Sequence, residues 1–425
     1  MTSKNCNSKC DKKKCCPKLT LSSVLSRPTS GYSAPNSISR DGSLIYCVYD
    51  ICVLPNLTLE AELFDNSNGT LVSKKQLHGN TTDPTPGPYI IVDGGQAAPN
   101  FNKFSILDDN NEDTARLRIL DPEFNVTATK LFADYFAEGF SFNGGSFSDD
   151  SGLVAVTYVY DPNVNQPYQK SILRVLETSG LNEVASYPYN GNTGNLTRFF
   201  TLKCKTSNGC YVNKQYLVLH SLGGTYDAEN PTSAPPSLLK ILCLQNGVIS
   251  LVDEVELPEN CTYDLHKCGN QIYLVVGTSR ANIQGEIIVQ EEANPSFLQS
   301  DGDEYRVYKF DCCHGLQMIC GKNFNTSLNV TFYPDGNSVV INQNIIRNCP
   351  GMFEVVQVDD LKCPRKCSST IGKPGIRGFS LKFSDNGKWA IVTGAKENPV
   401  MEDLQSTQLD LYDGLFNIQL YKVDF

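Results

Sequence analysis

Apolar and polar positions alternate with a period of two in short runs, and turn formers punctuate these runs at a regular long interval, which predicts strands and hairpins throughout. The clearest unit is a strand, tight turn and strand in which an aromatic precedes an Asp/Asn-Gly turn and a β-rich run follows. Four copies read Ser39-Arg-Asp-Gly-Ser-Leu-Ile-Tyr-Cys-Val-Tyr49, Phe147-Ser-Asp-Asp-Ser-Gly-Leu-Val-Ala-Val-Thr157, Phe332-Tyr-Pro-Asp-Gly-Asn-Ser-Val-Val-Ile341 and Phe383-Ser-Asp-Asn-Gly-Lys-Trp-Ala-Ile-Val-Thr393. Three weaker ones are Tyr89-Ile-Ile-Val-Asp-Gly-Gly95, Leu202-Lys-Cys-Lys-Thr-Ser-Asn-Gly-Cys210 and Tyr263-Asp-Leu-His-Lys-Cys-Gly-Asn270. The turns fall near residues 41, 94, 150, 208, 269, 335 and 386, giving seven units.

A second series interleaves with the first: alternating strands at 57–65, 115–121, 172–177, 238–246, 305–311, 353–360 and 416–424, each ending in a turn. Six are followed by a segment able to return as an outer strand, such as 126–132. The seventh runs into Phe425. An open edge would leave a ladder of unpaired backbone groups. Residues 18–25, Lys-Leu-Thr-Leu-Ser-Ser-Val-Leu, have strand character and are expected to close the last unit against 416–424. The competing expectation is a local hairpin of 409–412 with 415–421 around Asp413-Gly414.

These repeated Asp-Gly units resemble the TolB and YVTN-type propellers, and more loosely WD40 repeats, over residues 19–425. The resemblance implies an all-β, seven-bladed β-propeller of four-stranded antiparallel blades, its ring closed by the N-terminal strand. Residues 1–17 then form a basic, Cys-rich arm and residues 18–425 one propeller. The WD40 Trp-Asp dipeptide is absent, because the single Trp is Trp389.

Charge and cysteine content add a setting. The net charge is −10, yet Lys4, Lys9, Lys12, Lys13, Lys14 and Lys18 oppose only Asp11, so the tail is basic and the body strongly acidic. An acidic body argues against nucleic acid as the main partner. No apolar run reaches the roughly 18 residues of a membrane span, and no apolar core of a signal peptide opens the chain. The expectation is cytoplasmic synthesis. Eight sequons stand at Asn56, Asn68, Asn80, Asn125, Asn195, Asn260, Asn325 and Asn329, and 17 cysteines leave an odd thiol. A virion or extracellular destination would reconcile these features with the missing signal.

Candidate chemistry is sparse. Asp41, Asp149, Asp335 and Asp385 could form a repeated metal set, but hairpin turns account for them without a ligand. The acidic run Asp108-Asp-Asn-Asn-Glu-Asp113 lacks the Gly and terminal Glu of a Ca²⁺ loop. Cys6, Cys10, Cys15 and Cys16 offer thiolates for a metal at uncommon spacing, as do Cys312, Cys313, His314 and Cys320. Cys204 and Cys210 flank one hairpin turn and are the foremost disulfide expectation. Cys349, Cys363 and Cys367 could staple an outer hairpin, while Cys47 and Cys52 should face opposite sides of one strand. His78, His220, His266 and His314 sit in no recognisable catalytic pattern, and no cofactor is called for. The reading is a non-catalytic structural propeller binding other proteins or copies of itself. A channel hydrolase or lactonase and a tyrosine-lined carbohydrate binder are the alternatives.

Overall fold

A computed structural model describes residues 18–28, 36–53, 56–66, 70–77, 90–109, 115–135, 142–161, 170–194, 197–206, 208–222, 237–257, 261–278, 303–324, 328–332, 338–343, 352–359, 363–370, 376–397 and 412–424. Its regular elements are strands: β1 (Lys18–Pro28), then four sheets in one compact unit spanning residues 34–259. The first sheet orders β2 (Asn36–Ile38), β3 (Leu44–Val53), β4 (Asn56–Asp65) and β5 (Thr70–Leu77). The second orders β6 (Ile90–Ala97), β7 (Phe104–Asp109), β8 (Ala115–Leu120) and β9 (Val126–Phe132). The third holds β10 (Phe142–Phe147), β11 (Leu153–Asp161), β12 (Lys170–Glu177) and β13 (Glu183–Asn190). In the fourth, β14 (Asn192–Thr193) and β15 (Arg198–Lys205) both pair with β16 (Tyr211–Leu222), followed by β17 (Ser237–Gln245) and β18 (Val248–Leu257).

The other unit carries three sheets. They are β19 (Cys261–Cys268), β20 (Gln271–Thr278), β21 (Asp303–Asp311) and β22 (Gly315–Phe324); then β23 (Leu328–Phe332), β24 (Ser338–Gln343), β25 (Met352–Asp359) and β26 (Cys363–Thr370); then β27 (Ile376–Phe383), β28 (Trp389–Glu397) and β29 (Tyr412–Asp424). The last sheet takes its fourth strand from the N-terminus, since β1 pairs antiparallel with β29 from Lys18 opposite Asp424 to Pro28 opposite Leu415. β29 runs unbroken through Asp413 and Gly414, so the competing local hairpin is not formed. All pairings among the described strands are antiparallel between chain neighbours, apart from β1 with β29 and the branch at β14 and β15.

Why these segments become strands is visible in their burial. The middle strands are apolar on both faces because sheets pack face to face: Ile45, Tyr46, Cys47 and Val48 of β3 are all fully buried. Tyr46, Val48, Ala61 and Leu63 meet Phe104, Ile106, Leu120 and Phe124 between the first two sheets. Leu107, Leu117 and Phe132 meet Val154, Val156 and Tyr158 between the second and third. Leu173, Val175 and Tyr189 meet Phe199, Leu217, Leu219 and Leu242 between the third and fourth.

One turn is misplaced by the sequence pattern. Asp93-Gly94-Gly95 lies within β6, at a register shift opposite β7, and the hairpin turns instead at residues 98–103. Packing forces this glycine: a Cβ on Gly95 would lie 2.5 Å from the Ser105 carbonyl oxygen and 2.7 Å from the Tyr46 hydroxyl.

Candidate interaction surface

The inner hairpin turns share one construction. Ser39 donates its hydroxyl to Asp41 Oδ1 (2.7 Å), Ser43 N donates to the same oxygen (2.9 Å), and Leu44 N donates to Ser39 Oγ (2.9 Å). Ser148 and Asp150 repeat it (2.6 Å), with Gly152 N on Asp150 Oδ1 (3.0 Å) and Leu153 N on Ser148 Oγ (2.9 Å). So do Ser384 and Asn386 (2.7 Å), with Lys388 N and Trp389 N as the amide donors. The residue after the acceptor turns left-handed: Gly42, Ser151 and Gly387 have φ of 76°, 61° and 67°. The accepting side chains are thus Asp150 and Asn386, one place beyond Asp149 and Asp385, while Asp335 lies outside the described residues.

Electrostatics follow from this geometry. The Ser43 amide, then the Ser39 and Ser43 hydroxyls, hold the Asp41 carboxyl below its ordinary value. The Ser148 hydroxyl and the Gly152 amide do the same for Asp150. These oxygens serve the local backbone, and among the described residues no group of three His, Cys, Asp or Glu side chains is placed to hold a metal ion. Asp108 and Asp109 end β7, and the rest of the acidic run lies outside the described residues.

Cysteine pairing differs from expectation. Cys204 is disulfide-bonded but Cys210 is an exposed free thiol, so the Cys204–Cys210 bridge is not formed. The register explains it: Cys204 faces Val212, and Cys210 sits in the turn, where its carbonyl accepts from Thr206 N. Cys204 instead points inward, its sulfur 3.2 Å from the Tyr216 hydroxyl. Cys363 and Cys367 both lie on β26, and the staple expected of them rests on side chains outside the described residues. Cys47 is fully buried on β3, the strand that also carries Cys52. Cys6, Cys10, Cys15, Cys16 and Cys349 lie outside the described residues.

At the β21–β22 turn Cys312 is disulfide-bonded, which removes it as a thiolate ligand, and Cys313 is exposed and free. Asp311 Oδ1 accepts from Cys313 N, His314 N and His314 Nδ1, each at 2.9 Å, so the carboxylate is spent on the turn. His220 is buried on β16, and burial pushes its pKa down to about 4, leaving a neutral ring at pH 7. Burial also lowers His266, against the pull of Asp264. His78 lies outside the described residues.

Of the sequons, Asn125 is exposed in the β8–β9 turn, its amide donating to Asp121 Oδ2 (3.0 Å) and its oxygen accepting from Lys75 Nζ (2.8 Å). Asn56 opens β4 and Asn329 lies on β23; Asn68, Asn80, Asn195, Asn260 and Asn325 are outside the described residues. Tyr46, Tyr158, Tyr189 and Tyr216 are core side chains, unavailable to a sugar. Tyr158 donates to Asp134 Oδ1 (2.9 Å), and Arg174 lies over its ring while bridging Asp134 (2.5 Å) and Glu183. That cluster fastens the segment after β9 to the third sheet.

What sequence reasoning missed is the apolar character of the outer strands. Leu131 on β9 (61% exposed), Val248 on β18 (63%) and Met318 on β22 (61%) face solvent, with Leu71 and Val72 on β5. In an alternating strand such residues read as inward-facing, and only the order of strands in each sheet shows that β5, β9, β18 and β22 are outermost. Among the described residues no helix is long and apolar enough to cross a membrane.

No protein-family model matches the chain, and no curated protein matches it. The structure is similar to the Dos1 propeller, at TM-score 0.53 and 11% identity over 95% of each chain. It is also similar to a chain of the mitotic checkpoint complex, at TM-score 0.52 and 10% identity over 96% of each chain. At such identities the likeness shows the fold: an all-β propeller of four-stranded antiparallel blades.

Proposed function

We propose that this propeller is a non-catalytic scaffold that binds other proteins within an assembly, through its sheet edges and turn loops. The observation that carries this reading is the exposure of large apolar side chains, Leu131, Val248 and Met318, on the outermost strands. Solvated edges of soluble monomers are usually blunted by charge, whereas apolar residues there favour a partner surface. The similar chain found in the mitotic checkpoint complex belongs to a protein assembly, which is in keeping with the same use here.

The same reading takes the seven sheets as seven blades of one ring, with residues 18–425 as a single body and residues 1–17 as a basic arm. It places the protein in a surface or virion assembly, where glycans at sequons such as Asn125 and disulfides at Cys204 and Cys312 have a purpose.

Cross-linking mass spectrometry on the protein in its native source, without reduction, tests this. Cross-links to other proteins concentrated on β5, β9, β18 and β22 are expected. Turnover of ester or lactone substrates by the purified chain, with no stable protein neighbour, would overturn the reading in favour of a hydrolase.

A further inference from the structure

We propose that the β15–β16 ribbon docks on the β18 edge of a second copy of this chain. The inference rests on the protein-binding reading above and names one surface and its occupant.

The ribbon outruns its sheet. β17 joins β16 only from Gln215, opposite Leu244, whereas β15 and β16 remain paired out to Lys205 opposite Tyr211. Four residues of β16 therefore project past β17, about 13 Å of strand. A bare two-stranded ribbon is marginally stable in water. Here one face is anchored: Leu202 and Cys204 are buried, Cys204 is disulfide-bonded, and Phe200 stacks on Tyr216 with ring centroids 5.3 Å apart. The other face is solvent-exposed and carries Lys203, Lys205, Tyr211 and Asn213, with Tyr211 68% exposed. Lys205 and Tyr211 are direct cross-strand partners. An exposed tyrosine held on a fixed ribbon beside lysine has the character of a binding hot spot.

Charge chooses the occupant. Residues 184–226 contain Arg198, Lys203, Lys205 and Lys214 and no Asp or Glu, in a chain of net charge −10. Two such acidic bodies repel over most of their surfaces and can approach closely where the field reverses sign. Ribbon against ribbon would oppose like charges, so the contact must be heterologous. The complementary surface is on β18, an outermost strand: Val248, Leu251 and Val252 are exposed, followed by exposed Glu254 and Glu256. Glu254 already leans on Lys240 of its own sheet (3.3 Å), which leaves Glu256 as the acid that Lys205 would meet.

Sedimentation velocity on the full chain provides the test. Self-association that weakens as salt is added is expected, with Lys205→Glu and Glu256→Lys each weakening it about tenfold or more. Each variant alone opposes like charges at the contact. Mixing the two restores opposite charges in both directions, so the mixture is expected to associate, which also shows that both variants fold. A thiol-directed photo-cross-linker on Cys210, exposed at the ribbon tip, should capture the 248–257 peptide of another copy. A chain that stays monomeric at all concentrations, association indifferent to both substitutions, or no restoration on mixing overturns the inference. Retained cross-links to other proteins on the remaining edges would then leave the proposed function standing.

Discussion

Phe124 shows how much this fold asks of single residues. It is fully buried between the first two sheets at φ 60°, a left-handed conformation that a bulky side chain rarely adopts, with Phe101 (55°) and Leu181 (55°) in the same state in other turns. The turn accepts the backbone cost because the side chain plugs the space between sheets, against Phe104 and Tyr46. Phe124→Ala should lose about 3–5 kcal/mol in urea unfolding, since cavity loss outweighs any relief of backbone strain. Ser148→Ala removes a buried hydroxyl that ties Asp150 to Leu153, and should cost about 1–2 kcal/mol in the same assay. The turn carboxylates also give a pH signature. Asp41 and Asp150 lie below their ordinary value of 3.8 in the folded chain. Their contribution is therefore complete above that value and lost as pH falls through the lowered one. The stability difference between wild type and Asp41→Asn should shrink between about pH 4 and pH 2 in thermal melts; a difference constant over that range would refute the assignment.

At the scale of elements, the informative strand is β1. It supplies the outer strand that β27, β28 and β29 lack, pairing with β29 along nearly its whole length. Deleting residues 18–28 leaves the β29 ladder open and should lower the thermal midpoint and promote aggregation, and a peptide of those residues added in trans should reverse both. No change in melting or solubility on deletion would mean that β29 needs no partner. The bend in β6 is the second such case. Gly95→Ala would drive a Cβ into the Ser105 carbonyl, a backbone atom that cannot turn away, so the variant should be strongly destabilised although a methyl group is all that is added.

For the molecule as a whole, oxidation state and edge chemistry decide behaviour. Cys204 holds the buried face of the projecting ribbon and is disulfide-bonded, so Cys204→Ser should lower stability by about 2–4 kcal/mol under non-reducing conditions and by much less in dithiothreitol. Equal losses in both conditions would assign the effect to packing alone. The strand series of the sequence was legible at this scale because period-two alternation bounded by turn residues marks each strand before any partner is known. β8, β12 and β17 fall on the segments that alternation marks, and β9 matches residues 126–132. The interaction surface was not legible, because an exposed Leu131 or Val248 and a buried Ile119 look alike until strand order assigns an edge.

The sequence by itself determined the strands, most of their turns and the acidic body with its basic segments, because period-two alternation, turn chemistry and charge are local properties. Ser39, Asp41, Ser148 and Ser384 build their turns from neighbours within five residues, so their roles needed no fold. Tertiary structure alone decided which cysteine pairs, why Gly95 sits in a strand and which strands are outermost. Those outcomes depend on groups brought together by the fold: the inward turn of Cys204 beside Tyr216, the Ser105 carbonyl over Gly95, and the strand order that leaves β9 and β18 at sheet edges.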